Sequence, residues 1–324
     1  MLLTVAQQLG TVGPWWLELS RYVPYPALLL PSFVALVASL RLGWLWVLAS
    51  LAALALVATV TMGWVWRSAD AEPGPPGTAV RLMTYNIKAY KAVRHDDGFP
   101  ALAREVALHH PDILVMQDAN WWTLSQSATT FWNAPVFGLP NVYGVGQYVV
   151  ASRYELSDCT TGQLDYGREK QRYVHCTVHI DGTAVELVTA HFESPRNGLN
   201  ATRREGMGGV AEWRRNYEDR YTQAVELARD LVKSPRPLIV AGDLNAPESS
   251  SVIHRLLSVG LRDAFSAGGR GYGYSYGQAL PLRFSFLRID HILVSPDIGV
   301  ARCYVGGGEA SDHRPVIAEL RLPR

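Results

Sequence analysis

Asp243 and Asn245 stand two residues apart at the end of an apolar run, residues 238–241 (LIVA), bounded before by Pro235 and Pro237 and after by Gly242. Such a run between turn-forming residues reads as a buried strand. Alternation along a strand then sends the carboxylate and the amide to the same side of its tip, on a rigid support. Taken alone, Asp and Asn after a strand are ordinary turn formers. Similar polar groups recur, however, at Thr84-Tyr85-Asn86, Met116-Gln117-Asp118, Thr189-Ala190-His191, Ile289-Asp290-His291 and Ser311-Asp312-His313. Most of them follow or end another apolar, strand-like run. Carboxylates, amides and imidazoles gathered in this way suit a hydrolysis assisted by a metal ion. Such a reaction needs neutralised charge on the substrate, a deprotonated water opposite the leaving group, and a proton for that group. Hard oxygen donors with few imidazoles favour Mg²⁺ or Mn²⁺.

The elements that must carry these groups alternate along the chain. Strands are expected over residues 80–87, 112–117, 148–152, 185–191, 284–294, 300–305 and 316–320, with a hairpin whose arms lie near 155–164 and 171–180. Helices are expected over 101–109, 249–259 and 213–232, the last with Tyr221, Ala224, Val225, Ala228 and Leu231 at helical spacing. Hairpins mixed with covered strands predict two β-sheets packed face to face with helices outside.

The ordered series Asn86, Asp118, His191, Asp243-x-Asn245, Asp290 and Asp312-His313 resembles the endonuclease/exonuclease/phosphatase (DNase I-like) family, from about Val80 to Leu320. GDLN (residues 242–245) and SDHRP (311–315) are its most specific pieces. The HFESPR segment (191–196) and Trp213-x-x-Asn216-x-x-x-Arg220 are similar to the membrane-anchored bacterial type. The resemblance implies a four-layer α/β sandwich of two packed mixed β-sheets flanked by helices. It implies Asp118 as principal metal ligand with Asn86 and Asp312 nearby, and Asp243 as the group that orients or deprotonates the attacking water. Asn245 would hold phosphate or metal. His313, oriented by Asp290, would contact the scissile phosphate, and His191 would bind phosphate or assist proton transfer. Arg196, just past His191, is read as a clamp for an anionic substrate. The remaining arginines of residues 191–220 are read as a solvated helix face. The family carries Glu where this chain has Asp118, one methylene shorter, which leaves open a catalytically impaired binding or scaffold module. A tyrosine of the abasic-site enzymes has only Tyr143 and Tyr148 as candidate matches.

Residues 43–66 contain no charge over 24 positions, enough to span a bilayer, with Trp44, Trp46, Trp64 and Trp66 at the two ends. Residues 22–40 form a second apolar stretch interrupted by Pro24, Pro26 and Pro31. We therefore expect residues 1–70 to be a membrane anchor with spans at about 22–40 and 43–66. A Pro/Gly linker would follow at 71–79, then the catalytic domain at 80–324. Ala69-Asp70-Ala71 offers a signal-cleavage site, but the apolar core is longer than a signal peptide uses. Residues 71–324 hold equal numbers of acidic and basic residues, which argues against tight duplex-DNA binding. A nucleic acid, a phospholipid headgroup and a sugar phosphate all remain open as substrates.

Cys159 and Cys176 are equidistant from the turn at Gly167-Arg168 and could face each other across the hairpin, as a disulfide or as two buried thiols. Arg21 and Arg67 flank the domain's side of the hairpin and Arg41 the other, a positive-inside count too even to set the orientation. The facing cysteines and the spacer favour an integral membrane protein with an extracytoplasmic catalytic domain.

Overall fold

The computed structural model describes residues 4, 6, 7, 13–66, 77–94, 97–120, 123, 130–166, 169–235, 237–278 and 284–323. The seven-stranded sheet runs in the order β12-β13-β1-β2-β5-β4-β3. Its strands are β1 (Gly77–Asn86), β2 (Ile113–Gln117), β3 (Phe131–Trp132), β4 (Asn141–Val145), β5 (Tyr148–Ser152), β12 (Gly299–Val305) and β13 (Val316–Pro323). The six-stranded sheet, in the order β10-β11-β9-β8-β7-β6, holds β6 (Glu155–Tyr166), β7 (Glu169–Ile180), β8 (Thr183–His191), β9 (Leu238–Asp243), β10 (Arg262–Asp263) and β11 (Asp290–Val294). Both sheets mix parallel pairs, β1 with β2 and β8 with β9, with antiparallel ones.

Leu82, Ile113, Val115, Val185, Leu187, Ile239, Ala241 and Ile292 meet in one apolar cluster between the sheets. Outside the seven-stranded sheet, the helix Gly98–His109 buries Leu102 and Val106, four apart on one face, against Met83, Tyr85 and Met116. Outside the six-stranded sheet, the helix Val210–Leu231 buries Trp213, Ala224, Ala228 and Leu231 against Val188 and Val240. Helix, sheet, sheet and helix give the expected sandwich.

Among the described residues, three α-helices of six residues or more precede β1. We call them α1 (Trp15–Ser20), α2 (Leu29–Ser39) and α3 (Trp44–Leu56), and then α4 (Ala89–Ala92), α5 (Gly98–His109), α6 (Arg196–Glu205), α7 (Val210–Leu231), α8 (Ser251–Leu257) and α9 (Ala264–Gly268). Among the described residues one helix, Trp44–Thr61, is long and apolar enough to cross a membrane, with mean hydropathy 2.0. The expected span at 22–40 is shorter than the sequence reading. Tyr22 and Tyr25 are buried against the six-stranded sheet's helical layer, a 3₁₀ turn covers Tyr25–Leu28, and α2 has 11 residues. At about 1.5 Å per residue that is roughly half the hydrocarbon thickness. The interrupting prolines and the docking of Tyr22 and Tyr25 account for the loss.

The segment ahead of α2 also packs onto the globular body, although the sequence assigns it to the anchor. Glu18 is fully buried, pairs with Arg21, and accepts hydrogen bonds from Ser250 Oγ at 3.0 Å and Ser251 Oγ at 2.8 Å. Arg21 is thus an internal counter-ion, and the positive-inside count loses it. On the return path the Tyr274 hydroxyl donates to the Met62 carbonyl, and Val65 bridges Gly271. Residues 77–79 of the expected linker belong to β1, while 71–76, Arg67, the Ala69–Ala71 cleavage site and the Gly167-Arg168 turn lie outside the described residues. A disulfide joins Cys159 to Cys176, whose Cα atoms lie 4.0 Å apart across the β6–β7 ladder.

Candidate active site

The alternation that builds the inter-sheet core also aims the polar groups. Leu82, Ile113, Leu187, Ile239 and Ile292 face the opposite sheet. Counting by twos along each strand, Asn86, Gln117, His191, Asp243 and Asp290 fall on that same inner face at the strand tips. Register then brings three of them level. Asp243 is the partner of His191 on parallel β8 and of Asp290 on antiparallel β11. His291, one residue on, turns to the outer face, where it is buried against Asp263 Oδ2 at 3.0 Å and the Ala246 carbonyl at 2.9 Å.

Asp243 is fully buried at the centre of this group. Its Oδ2 accepts from Asn86 Nδ2 at 2.8 Å and its Oδ1 from the Asn245 backbone N–H at 3.0 Å. His191 Nε2 and His313 Nε2 approach the same Oδ2 at 3.5 and 3.7 Å. Asp290 fixes the ring of His313 through Nδ1, at 2.9 Å from Oδ2. Asn245, at φ 49°, donates its amide to the Phe192 carbonyl at 2.9 Å, tying the loop after Asp243 to the loop after His191. Below this layer the Gln117 amide bridges Thr84 and Thr189 across the two sheets at 3.2 and 3.0 Å.

The residues expected to hold metal are arranged less simply. Asn86 joins Asp243, but Asp118, with φ 53°, pairs with Lys88 Nζ at 2.5 Å, and Asp312 pairs with Lys91. Asp118 Oδ1 lies 3.7 Å from His191 Nδ1. The metal-type donor atoms that lie within 4.8 Å of one another, among the described residues, are instead those of Asp243, Asp290 and His313. Four carboxylates (118, 243, 290, 312) accompany two ammoniums (88, 91), which leaves two negative charges in excess with His313 neutral and one with it protonated. Hard oxygen donors with that balance fit a divalent cation.

Burial alone would raise the Asp118 carboxyl's pKa, but His191 and Lys88 outweigh it and hold the group below its ordinary value. Burial likewise pushes Lys88 down, and Asp118 and Asp243 turn the balance upward. For His313, burial opposes protonation while Asp290 and Asp243 favour it, and the net direction is upward from 6.5. Asp290, pushed up by burial, is held low by His313. The folded state therefore holds the His313 proton more tightly than the unfolded chain. The pairing stabilises the fold fully below about pH 6.5 and loses that contribution as pH rises through the raised value. With Asp290→Asn, His313 should titrate lower in NMR-monitored pH titrations. An unchanged titration would contradict the pairing.

Two cavities flank the cluster. One of about 490 Å³ is lined by Asp118, Gln147, Tyr148, Arg172, His191 and Glu193. The other, about 450 Å³, is lined by Lys88, Arg196, Asn245, Tyr276 and His313 together with apolar side chains. Arg196 is exposed on α6 and borders this second cavity, as its position after His191 suggests.

Several site residues escaped the sequence reading. Lys88, two residues past the end of β1 at φ 45°, belongs to none of the motifs above but is buried on Asp118. Of the two candidate tyrosines, Tyr148 is the one at the site. Its hydroxyl accepts from the His191 backbone N–H at 2.9 Å and donates to the Arg172 carbonyl at 2.7 Å. Gln147 Oε1 meets His191 Nδ1 at 2.5 Å. Arg220, read as part of a solvated face, is fully buried. It donates to Asn216 Oδ1 at 2.5 Å, and Asn216 Nδ2 donates to the Ser194 carbonyl at 2.9 Å, so the Trp213–Asn216–Arg220 series holds the loop behind His191.

No curated protein matches the sequence. Solved structures share the fold. An endonuclease/exonuclease/phosphatase from Bacteroides vulgatus aligns with TM-score 0.57 and 20% identity, over 76% of this chain and 100% of its own. TDP2 of D. rerio, complexed with single-strand DNA product, gives 0.53 and 14%, over 75% of this chain and 99% of its own. A mannosyl-6-phosphatase from Bacteroides thetaiotaomicron gives 0.52 and 17%, over 74% and 99%. The family model for the endonuclease/exonuclease/phosphatase family matches residues 83–313, from just before Asn86 through His313. With its two-sheet sandwich and its polar strand tips inside that match, the chain belongs to the endonuclease/exonuclease/phosphatase family.

Proposed function

We propose that the chain is a membrane-tethered, divalent-metal-dependent hydrolase of phosphoesters. The observation that carries this reading is the convergence of Asn86, His191, Asp290 and His313 on the buried carboxylate of Asp243. Asp243, oriented by Asn86 and the Asn245 N–H, takes a proton from the attacking water. His313, oriented by Asp290 and drawn toward its protonated form by Asp290 and Asp243, binds a non-bridging phosphate oxygen, and His191 contacts the phosphate or passes a proton toward the leaving oxygen. Asn245 and Arg196 orient the phosphate from the other cavity. Asp118, with Asn86 and Asp312, would hold Mg²⁺ or Mn²⁺, which when bound supplies charge neutralisation at the phosphate. The neighbours span a DNA-product complex and a sugar phosphatase, so the fold alone leaves the leaving group open. Release of phosphate from a monoester, or of alcohol and monoester from a diester, should need Mg²⁺ or Mn²⁺ and stop with EDTA.

A second reading, an impaired binding or scaffold module, draws on the Lys88–Asp118 pair, which places an ammonium on the expected ligand. The two readings separate by metal binding. Lys88→Met frees Asp118 and should tighten Mn²⁺ binding measured by calorimetry by on the order of tenfold, about 1.4 kcal/mol. Undetectable Mn²⁺ binding in both proteins would favour the inert module.

The tether is the hairpin of α2 and α3, with Trp44–Thr61 as its bilayer-length arm. The Cys159–Cys176 disulfide favours an extracytoplasmic domain, because such bonds persist in oxidising compartments. Alkylation of intact cells under denaturing, non-reducing conditions should leave Cys159 and Cys176 unlabelled and Cys303 labelled. Labelling of all three would place the domain in the cytoplasm.

A further inference from the structure

The apolar wall of the second cavity comes from an unexpected part of the chain. Tyr22 and Pro24, from the segment ahead of the hairpin, stand there with Leu199, Phe286 and Leu287, opposite the buried Lys88, Asn245 and His313. Tyr22 is locked in place. Its hydroxyl donates to the Asn245 carbonyl at 2.8 Å, and its ring packs edge-on to Trp213 at 5.3 Å with the Arg220 guanidinium 5.4 Å away. The chain then enters α2 and α3, whose Leu30, Phe33, Val34, Val37, Leu45 and Leu48 are exposed. The cavity on the other side of the cluster is bordered by Asp118, Gln147, Arg172 and Glu193 together with Val145, Tyr148 and Phe192, and none of its lining comes from the segment ahead of the hairpin. The phosphate position thus lies between two cavities, of which only the one walled by Tyr22 and Pro24 adjoins the hairpin.

We propose that this site, given the phosphoesterase reading on which the inference rests, selects phosphoesters bearing an apolar group next to the phosphate, and that Tyr22 and Pro24 are specificity-determining. The occupant of the Tyr22 cavity is the apolar portion of a membrane amphiphile. Continuity of the wall with the exposed apolar hairpin favours a bilayer source over a soluble one. In the reaction water forms a new bond to phosphorus, one ester P–O bond breaks, and the departing oxygen leaves as an alcohol carrying a proton.

The test uses the full chain in nanodiscs and two soluble series, methyl, ethyl and butyl phosphate monoesters and the matching alkyl 4-nitrophenyl phosphate diesters. Short chains keep partition into the bilayer small. In whichever series turns over, kcat/KM should rise by on the order of tenfold or more from methyl to butyl, since each buried methylene is worth about a three- to fourfold gain. Tyr22→Ala should flatten that rise, and Tyr22→Phe, which keeps the ring, should preserve it. Leu199→Gln, on a partly exposed position of α6, should also flatten it and guards against misfolding of the Tyr22 variant. Equal kcat/KM for methyl and butyl esters in the parent would overturn this inference and leave the phosphoesterase reading standing. A rise that survives both Tyr22→Ala and Leu199→Gln would overturn the assigned wall. No turnover in either series would overturn both readings.

Discussion

Asp243→Asn is expected to lower turnover by about 10²–10⁴-fold without lowering the melting temperature. The change is nearly isosteric at a fully buried position, so it removes charge and basicity and little volume. The amide oxygen can still accept the Asn245 N–H that now bonds Oδ1, whereas the amide nitrogen loses the hydrogen bond that Asn86 Nδ2 gives Oδ2. It also removes one of two carboxylates that face each other in the β9–β11 register, Asp243 and Asp290, where like charges repel. Relief of that repulsion offsets the lost Asn86 bond, so stability stays near the parent's as activity is lost. Circular-dichroism melts beside initial rates check this. More than roughly a tenth of parental activity, with unchanged melting, would remove Asp243 from the chemistry.

Glu18→Ala should cost about 3–5 kcal/mol, because it strands Arg21 as a buried charge without its partner. It also releases the hydroxyls of Ser250 and Ser251 at the start of α8, just past the Asp243–Asn245 loop. The melting temperature of detergent-solubilised full-length protein should fall by on the order of 10 °C. Replacing Glu18 and Arg21 together with Leu and Met should recover much of the loss, as both charges then leave the interior. A melting temperature unchanged in Glu18→Ala would mean that the N-terminal segment does not dock.

The sequence exposes the strand tips well because period-two alternation is a local property. An apolar run with a polar group in phase predicts both burial and aim, and Asn86, His191, Asp243 and Asp290 all follow it. The hairpin pairing of Cys159 with Cys176 is legible for the same reason, symmetry about a near turn. What stays hidden depends on distant neighbours. Tyr22 reads as the start of an apolar span, and its partner, the Asn245 carbonyl, is 223 residues away. Lys88 lies outside every motif, and only the pairing of β1 with β2 brings it to Asp118. Arg220 looks solvated beside Glu218 and Asp219, yet falls on the helix face that carries Trp213 and Asn216. The prolines of residues 22–40 are local signals, but the length of α2 also depends on Tyr22 and Tyr25 packing into the folded body, which is not a local property.

The most direct measurement is hydrolysis in H₂¹⁸O by the parent and by Asp243→Asn, with mass analysis of both products. Attack of an Asp243-activated water at phosphorus predicts one ¹⁸O in the phosphoryl product, none in the alcohol, and near-loss of product in the variant. Label in the alcohol, or undiminished labelled product from Asp243→Asn, would contradict the account.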